Sequence, residues 1–419
     1  MRLPRVLSMT KAAGLLAMVV PVFGQTAAFQ EGSLHGRRAF VLENDRMRVS
    51  TLPGGGFIGE IRFKSDDPKK SVNPMRVPDY QTIDPYAYDI YRDGPTYGTG
   101  MQRRLQSGYM GHFVCFPLFG SSTQAELSND YGHHGEALAV EWKRQKVDTE
   151  KDRVTLSYGA DLPKTNFRID RTITLPADET VAYVEESVEN LAIYNRPVQW
   201  VQHVTFGPPF LEAGKSFVDA SIDRVARPGR GGPGIAAVSW TNVAGTQTDI
   251  TDYRVFSGRG AVWLMDRSRP KVYFTVYNTD YPVLIGYIFS SADNPWVLDY
   301  QANQTGVPPQ PANQANRPPN QTPNQPPLAG GRTVARGICI GDSPIEGQRT
   351  AIETGKILGV PVHSWIDSRQ RRTQSYAFFL AEIPLGYKGV ADLRIEDGRI
   401  VLVERETGKT IAIKSALLR

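Results

Sequence analysis

Two stretches, 168–175 and 181–188, alternate apolar and polar residues, and the turn Pro176-Ala177-Asp178-Glu179-Thr180 joins them. Period-two alternation on both sides of a short turn specifies a hairpin whose two faces differ in polarity. Segments of the same kind recur at 47–52, 57–63, 113–119, 137–143, 153–159, 236–241, 261–265, 271–277, 283–289, 334–340, 375–383, 391–395, 399–404 and 410–414. Helical periodicity is nearly absent, and one short helix is predicted over 346–357. Many strands at regular spacing without helices predict an all-β fold, a large antiparallel β-sandwich with few short helices. Sandwiches of this kind run past the usual domain length, so 29–419 reads as one domain.

The first 28 residues stand apart. Arg2, Arg5 and Lys11 precede an apolar run from Ala12 to Val20, and Thr26-Ala27-Ala28 follow. A basic start, a short apolar core and a small-residue exit predict a secretory signal peptide, cleaved after Gly24 or after Ala28, with Ala28 preferred. The expected destination is the periplasm or the extracellular space. No later apolar run is long enough to cross a bilayer. Removing the three basic leader residues lowers the formal charge from +5 to +2. The basicity is thus mostly a targeting feature, and no nucleic-acid partner is expected. Residues 301–331, mainly Pro, Asn and Gln, lack apolar residues for a core and are expected to form a loop. The stretch 228–234 matches a Gly-x-Gly-x-x-Gly spacing, but Pro233 interrupts it and no helix follows, so no dinucleotide is expected. Cys115 and Cys339 are too few for a disulfide scaffold; they admit one bridge or two buried thiols.

Chemistry concentrates in three places. The stretch 198–206, ended by Gly207-Pro208-Pro209, reads as a strand. One face carries Val198, Trp200, Gln202, Val204 and Phe206; the other carries Gln199, Val201, His203 and Thr205. Histidine exchanges protons near neutral pH, which makes His203 a candidate acid or base, although such a face can also simply meet solvent. The second place is Gly132-His133-His134-Gly135-Glu136, where glycines let backbone approach a ligand and His134 and Glu136 supply donor, acceptor and charge. A His-x-Glu pair without a third ligand does not make a zinc site, and no metal is expected. Third, Arg103-Arg104 offers forked hydrogen bonds to hydroxyls or carboxylates. The acidic residues Asp84, Asp89 and Asp93 fit no standard calcium loop.

Taken in order, these pieces resemble the galactose mutarotase-like family, the aldose 1-epimerase superfamily. The matching segments are Asn73-Pro74, Gly111-His112, Cys115-Phe116-Pro117-Leu118-Phe119-Gly120, His134-Gly135-Glu136-Ala137, the 168–190 hairpin, Gln202-His203, Phe206-Gly207-Pro208-Pro209, Gly286-Tyr287-Ile288-Phe289 and Pro295-Trp296. The resemblance covers about residues 39 to 385. It implies a β-supersandwich whose concave face binds a sugar or glycan, with no cofactor. It further implies His203 as the acid toward the ring oxygen, His134 as a second catalytic, sugar-positioning histidine, and Arg104, Glu136 and Gln202 as sugar contacts. The family's glutamate base is expected near Cys339, where this chain has cysteine; Asp299, Asp342 and Glu346 lie close by in sequence, and strand parity decides which of them points inward. Three functions follow: an aldose 1-epimerase-type isomerase, a sugar-binding protein without its base, or a polysaccharide lyase or glycosidase on a related sandwich. A lyase requires a Tyr/His or Tyr/Arg pair along a cleft, for which 80–109 supplies tyrosines; a glycosidase requires two facing carboxylates.

Overall fold

The computed structural model describes residues 26–212, 214–226, 241–242, 261–302 and 335–418. The leader up to residue 25, the 228–234 stretch, residues 236–240 of the strand expected at 236–241 and residues 303–331 of the Pro/Asn/Gln segment 301–331 lie outside the described residues.

Two large antiparallel sheets carry the architecture. One has seven strands in the order Thr241–Asn242, Ile222–Ala226, Ala261–Met265, Trp296–Ala302, Ala335–Gly341, Val201–Phe206 and Phe113–Cys115. The other has eight, in the order Ser216–Ala220, Lys271–Asn278, Val283–Ser290, Arg371–Glu382, Val181–Asn190, Phe167–Pro176, Arg153–Leu162 and Lys143–Thr149. The predicted 168–188 hairpin is at the centre of this second sheet, with Ile173 opposite Val184 and Ile169 opposite Val188. Alternate residues of both sheets meet in one core, where Val204, Phe206, Ile338, Ile340 and Trp263 face Ile173, Val184, Ile285, Phe289 and Phe378. The expected all-β sandwich is observed.

Smaller sheets close the rest. Ala28–Leu34, Arg37–Glu43, Met47–Leu52 and Phe57–Phe63 form an N-terminal four-stranded sheet. Val390–Glu396, Arg399–Glu404 and Thr410–Lys414 form a three-stranded sheet that buries Leu393, Ile400 and Leu402 with Tyr277, Leu284, Ile288 and Phe379 of the eight-stranded sheet. That sheet is therefore covered on both faces.

Three local expectations are corrected. The ladder of the 198–206 strand starts only at Val201, because the Gln199 N–H bonds Pro117 O at 2.9 Å and the Trp200 N–H bonds the Asp342 carboxylate at 2.8 Å. Residues 137–143 form a 3₁₀ turn, Ala137–Ala139, rather than a strand, with the Ala139 N–H bonded to Glu136 O at 2.8 Å. Residues 73–111, rich in Tyr, Asp, Pro and Gly and irregular on a sequence reading, contain two helices, Ile90–Tyr97 and Arg103–Gly108. Gly94 and Pro95 read as breakers in the first of these, but the Asp89 carboxylate caps it by accepting from the Tyr91 and Arg92 N–H groups. The short helix expected within 346–357 runs Gln348–Thr354. Both cysteines are free and buried.

Candidate functional site

Register decides which side chains share a face. Val201 lies opposite Cys115 and Gly341, His203 opposite Phe113 and Cys339, and Thr205 opposite Gly337. On the next strand Leu298 is opposite Cys339 and Tyr300 opposite Gly337. Directly opposed residues of an antiparallel ladder point to the same side. His203, Thr205, Tyr300, Phe113 and Cys339 therefore share the face of the seven-stranded sheet turned away from the core.

On that face His203 belongs to a closed circuit of hydrogen bonds. Its Nδ1 is 3.1 Å from Thr205 Oγ1 and its Nε2 is 2.9 Å from the Tyr300 hydroxyl. Tyr109 completes the ring, 2.8 Å from Thr205 Oγ1 and 3.0 Å from the Tyr300 hydroxyl. Each hydroxyl donates once and accepts once, so the circuit is satisfied with the His203 proton on either nitrogen. Phe113 stacks on the imidazole with centroids 4.3 Å apart, and the Arg76 guanidinium sits 4.4 Å above the Tyr109 ring. Burial, aided by the neighbouring His133 and Arg76, lowers the His203 pKa to about 3, so the ring is neutral at physiological pH. Burial pushes the Tyr109 phenol up to about 12 and that of Tyr300 well above its ordinary value.

His134 joins this group, its ring centroid 5.0 Å from that of His203 and 4.0 Å from that of His133. Its backbone is left-handed, with φ of +65°, and its N–H bonds Gly120 O at 2.8 Å. The Gly120 N–H in turn donates to His134 Nδ1 at 3.0 Å, which leaves the neutral ring's proton on Nε2. Burial holds His134 well below its ordinary pKa. Glu346 packs on the same glycine: a Cβ added to Gly120 would meet Glu346 Cβ at 2.4 Å. The Glu346 residue reaches solvent, yet the protein around it raises its carboxyl pKa above the usual value.

The other carboxylates have different roles. Asp299, on the core side, forms a bidentate pair with Arg336 at 2.9 and 2.8 Å. Asp342 accepts from the Trp200 N–H. Cys339 occupies the inward position opposite His203, and burial keeps its thiol protonated, with a pKa well above the ordinary value.

The remaining sequence candidates are not in the circuit. Gln202 lies on the core face, where it donates to Glu186 Oε2 at 2.5 Å and accepts from His112 Nε2 at 2.9 Å. Glu136 is consumed by the backbone N–H groups of Lys164 and Thr165, each at 2.9 Å, and by the Thr165 hydroxyl at 2.7 Å. Arg104 is committed to Asp130, at 2.7 Å from Nη2, and to Pro85 O at 2.8 Å. Glu136 and Arg104 thus brace the loop that presents His134. Tyr109 and Tyr300 were not singled out by the sequence. The 296–300 strand supplies the parity, but only its register with Ala335–Gly341 reveals that Tyr300 meets His203. No group of three or more His, Cys, Asp or Glu side chains suited to a metal occurs among the described residues. No helix among them is long and apolar enough to cross a membrane.

No protein-family model matches the sequence, and no curated protein matches it. Solved structures do match the fold. A Klebsiella pneumoniae protein provisionally described as an aldose 1-epimerase superposes with a TM-score of 0.58 at 13% identity, over 85% of this chain and 84% of that one. A galactose mutarotase-like protein from Clostridium acetobutylicum gives 0.56 at 14% identity, over 85% and 99%. A TPR-domain containing protein from Parabacteroides distasonis gives 0.55 at 11% identity, over 91% of this chain and 52% of that one.

Proposed function

We infer the function from the fold, which is galactose mutarotase-like as the sequence resemblance implied. We propose that the protein is an exported sugar-binding protein that interconverts the anomers of an aldose. The observation that carries this reading is the approach of His134 to His203 on one face, with Glu346 packed against Gly120, the residue whose N–H holds His134 Nδ1. Anomer exchange needs a donor to the ring oxygen and an acceptor for the anomeric hydroxyl proton. With sugar bound, His203 acts as the imidazolium and gives its Nε2 proton to the ring oxygen in place of its bond to the Tyr300 hydroxyl, and Glu346 takes the proton from the anomeric oxygen. The C1–ring oxygen bond breaks, the chain rotates about C1–C2, and closure with the two proton transfers reversed gives the other anomer. His134, with its proton on Nε2, holds a sugar hydroxyl. The buried phenols of Tyr109 and Tyr300, with raised pKa values, are poor bases for a lyase.

The test is NMR exchange between α and β anomers for a panel of aldoses. The proposal expects acceleration by the native protein, reduced at least 100-fold in His203→Ala and in Glu346→Gln. A second reading, sugar binding without catalysis, draws on the neutral Cys339 thiol opposite His203. It is the outcome if sugars bind the native protein and no anomer exchange is accelerated.

A further inference from the structure

A cavity of about 490 Å³ has none of the His203 circuit in its wall. Strand ends from both large sheets meet there with the segment 355–365. Asp342 follows the strand Ala335–Gly341, and Arg372 lies near the start of Arg371–Glu382. Trp365 is the middle residue of Ser364–Ile366, a short strand held by pairing with Arg196–Val198. Lys356, His363 and Arg267 complete the wall.

Three properties of this wall call for a ligand. Trp365 is 54% exposed although its backbone is fixed in a ladder, so a rigid aromatic face is left open. Asp342 is 5% exposed; its Oδ1 is used by the Trp200 N–H, while its Oδ2 has no well-formed hydrogen bond, the Ser364 side chain being the other donor that acts on the carboxyl. A buried acceptor left unmet is costly, and is rare unless a ligand or water completes it. Cations exceed acids: among the described residues Arg267 and Lys356 have no ion pair, and Arg372 has only a 3.7 Å approach to Asp293. The volume suits one or two sugar rings by the usual size of ligand sites.

We propose that this cavity binds an acidic sugar, a pyranose bearing a carboxylate. The Trp365 face stacks against the C–H face of the ring. Arg372, Lys356 and Arg267 take the carboxylate. Asp342 Oδ2 accepts a ring hydroxyl. An inorganic anion would leave the indole unused; a neutral sugar would leave the cations unused. This site does not rest on the reading of the His203 face.

The experiment is calorimetric titration of the full chain with glucuronate, glucose and inorganic phosphate. Glucuronate is expected to bind at least tenfold more tightly than either of the others. Trp365→Ala and Arg372→Gln are each expected to weaken it at least tenfold, with thermal melts verifying that each variant is folded. Neither should change anomer exchange, and His203→Ala should leave glucuronate binding intact. The proposal is overturned by absence of glucuronate binding, by equal affinity for glucose or phosphate, or by a folded Trp365→Ala that binds as the native protein does. Loss of binding in His203→Ala with retention in Trp365→Ala would also overturn it, because the ligand would then belong to the other face.

Discussion

At the scale of single residues, the site depends on a few hydroxyls that no motif marks. Tyr300→Phe removes one link of the circuit and leaves His203 Nε2 and the Tyr109 hydroxyl each short of a partner. The expected loss is about 1–3 kcal/mol of stability by urea titration, with at least a tenfold loss of anomer exchange. Gly337→Ala tests the same contact from behind. A Cβ there would meet the Tyr300 ring at 2.2 Å, so the ring must leave its place beside His203. The expected result resembles Tyr300→Phe in exchange rate, whereas an unchanged rate would mean that the circuit is not used. The pH profile belongs to this scale as well. Glu346 has a raised pKa, so exchange should fall on acidification with a midpoint above the ordinary glutamate value of 4.5, and Glu346→Gln should abolish that limb. His203 and His134 were legible because histidines on a strand face and in a glycine loop are conspicuous. Gln202 was legible in parity, since strand alternation puts it with Val204 and Phe206, and the structure has it on that face bonded to Glu186 and His112. Glu136 and Arg104 were assigned by chemical type, and type cannot distinguish a ligand contact from a loop brace.

At the scale of elements, the strands were readable and their interruptions were not. Alternation marks 168–175 and 181–188 because each has one face on the core, and the structure pairs them as expected. The break before Val201 depends on Pro117 and Asp342, residues far away in sequence. The helix Ile90–Tyr97 was hidden because Gly94 and Pro95 outweigh its cap in any local reading. The C-terminal three-stranded sheet gives an element-scale prediction. Truncation after Pro384 would expose Leu284, Ile288 and Phe379, which are fully or almost fully buried. Each such side chain contributes about 1.5–3 kcal/mol when buried, so the truncated chain is expected to melt lower and to aggregate in light scattering.

At the scale of the whole molecule, a polar cluster ties the two large sheets together. Arg171 and Glu186 pair at 2.5 Å with both side chains fully buried, and Glu186 also holds Gln202, which bonds His112. Removing one partner of such a pair is expected to cost about 3–5 kcal/mol, so Arg171→Met should lower the urea midpoint sharply. Buried histidines set the acid limit. His112 and His203 bind protons in the folded state only at about pH 3, against 6.5 for the ordinary side chain. The unfolded chain therefore binds more protons between these values, and stability present above pH 6.5 is lost as pH falls toward 3. Melting temperature should decline through that window, and His112→Gln should flatten the slope. The two thiols carry one more consequence. Cys115 and Cys339 lie on strands flanking Val201–Phe206, so about 10 Å of sheet separates them, beyond the roughly 7 Å that a bridge tolerates. The native state therefore asks nothing of the oxidant around it. A reductant should leave its melting curve unmoved, and the chain can mature in a thiol-rich cytosol or an oxidising exterior without help from disulfide-forming enzymes.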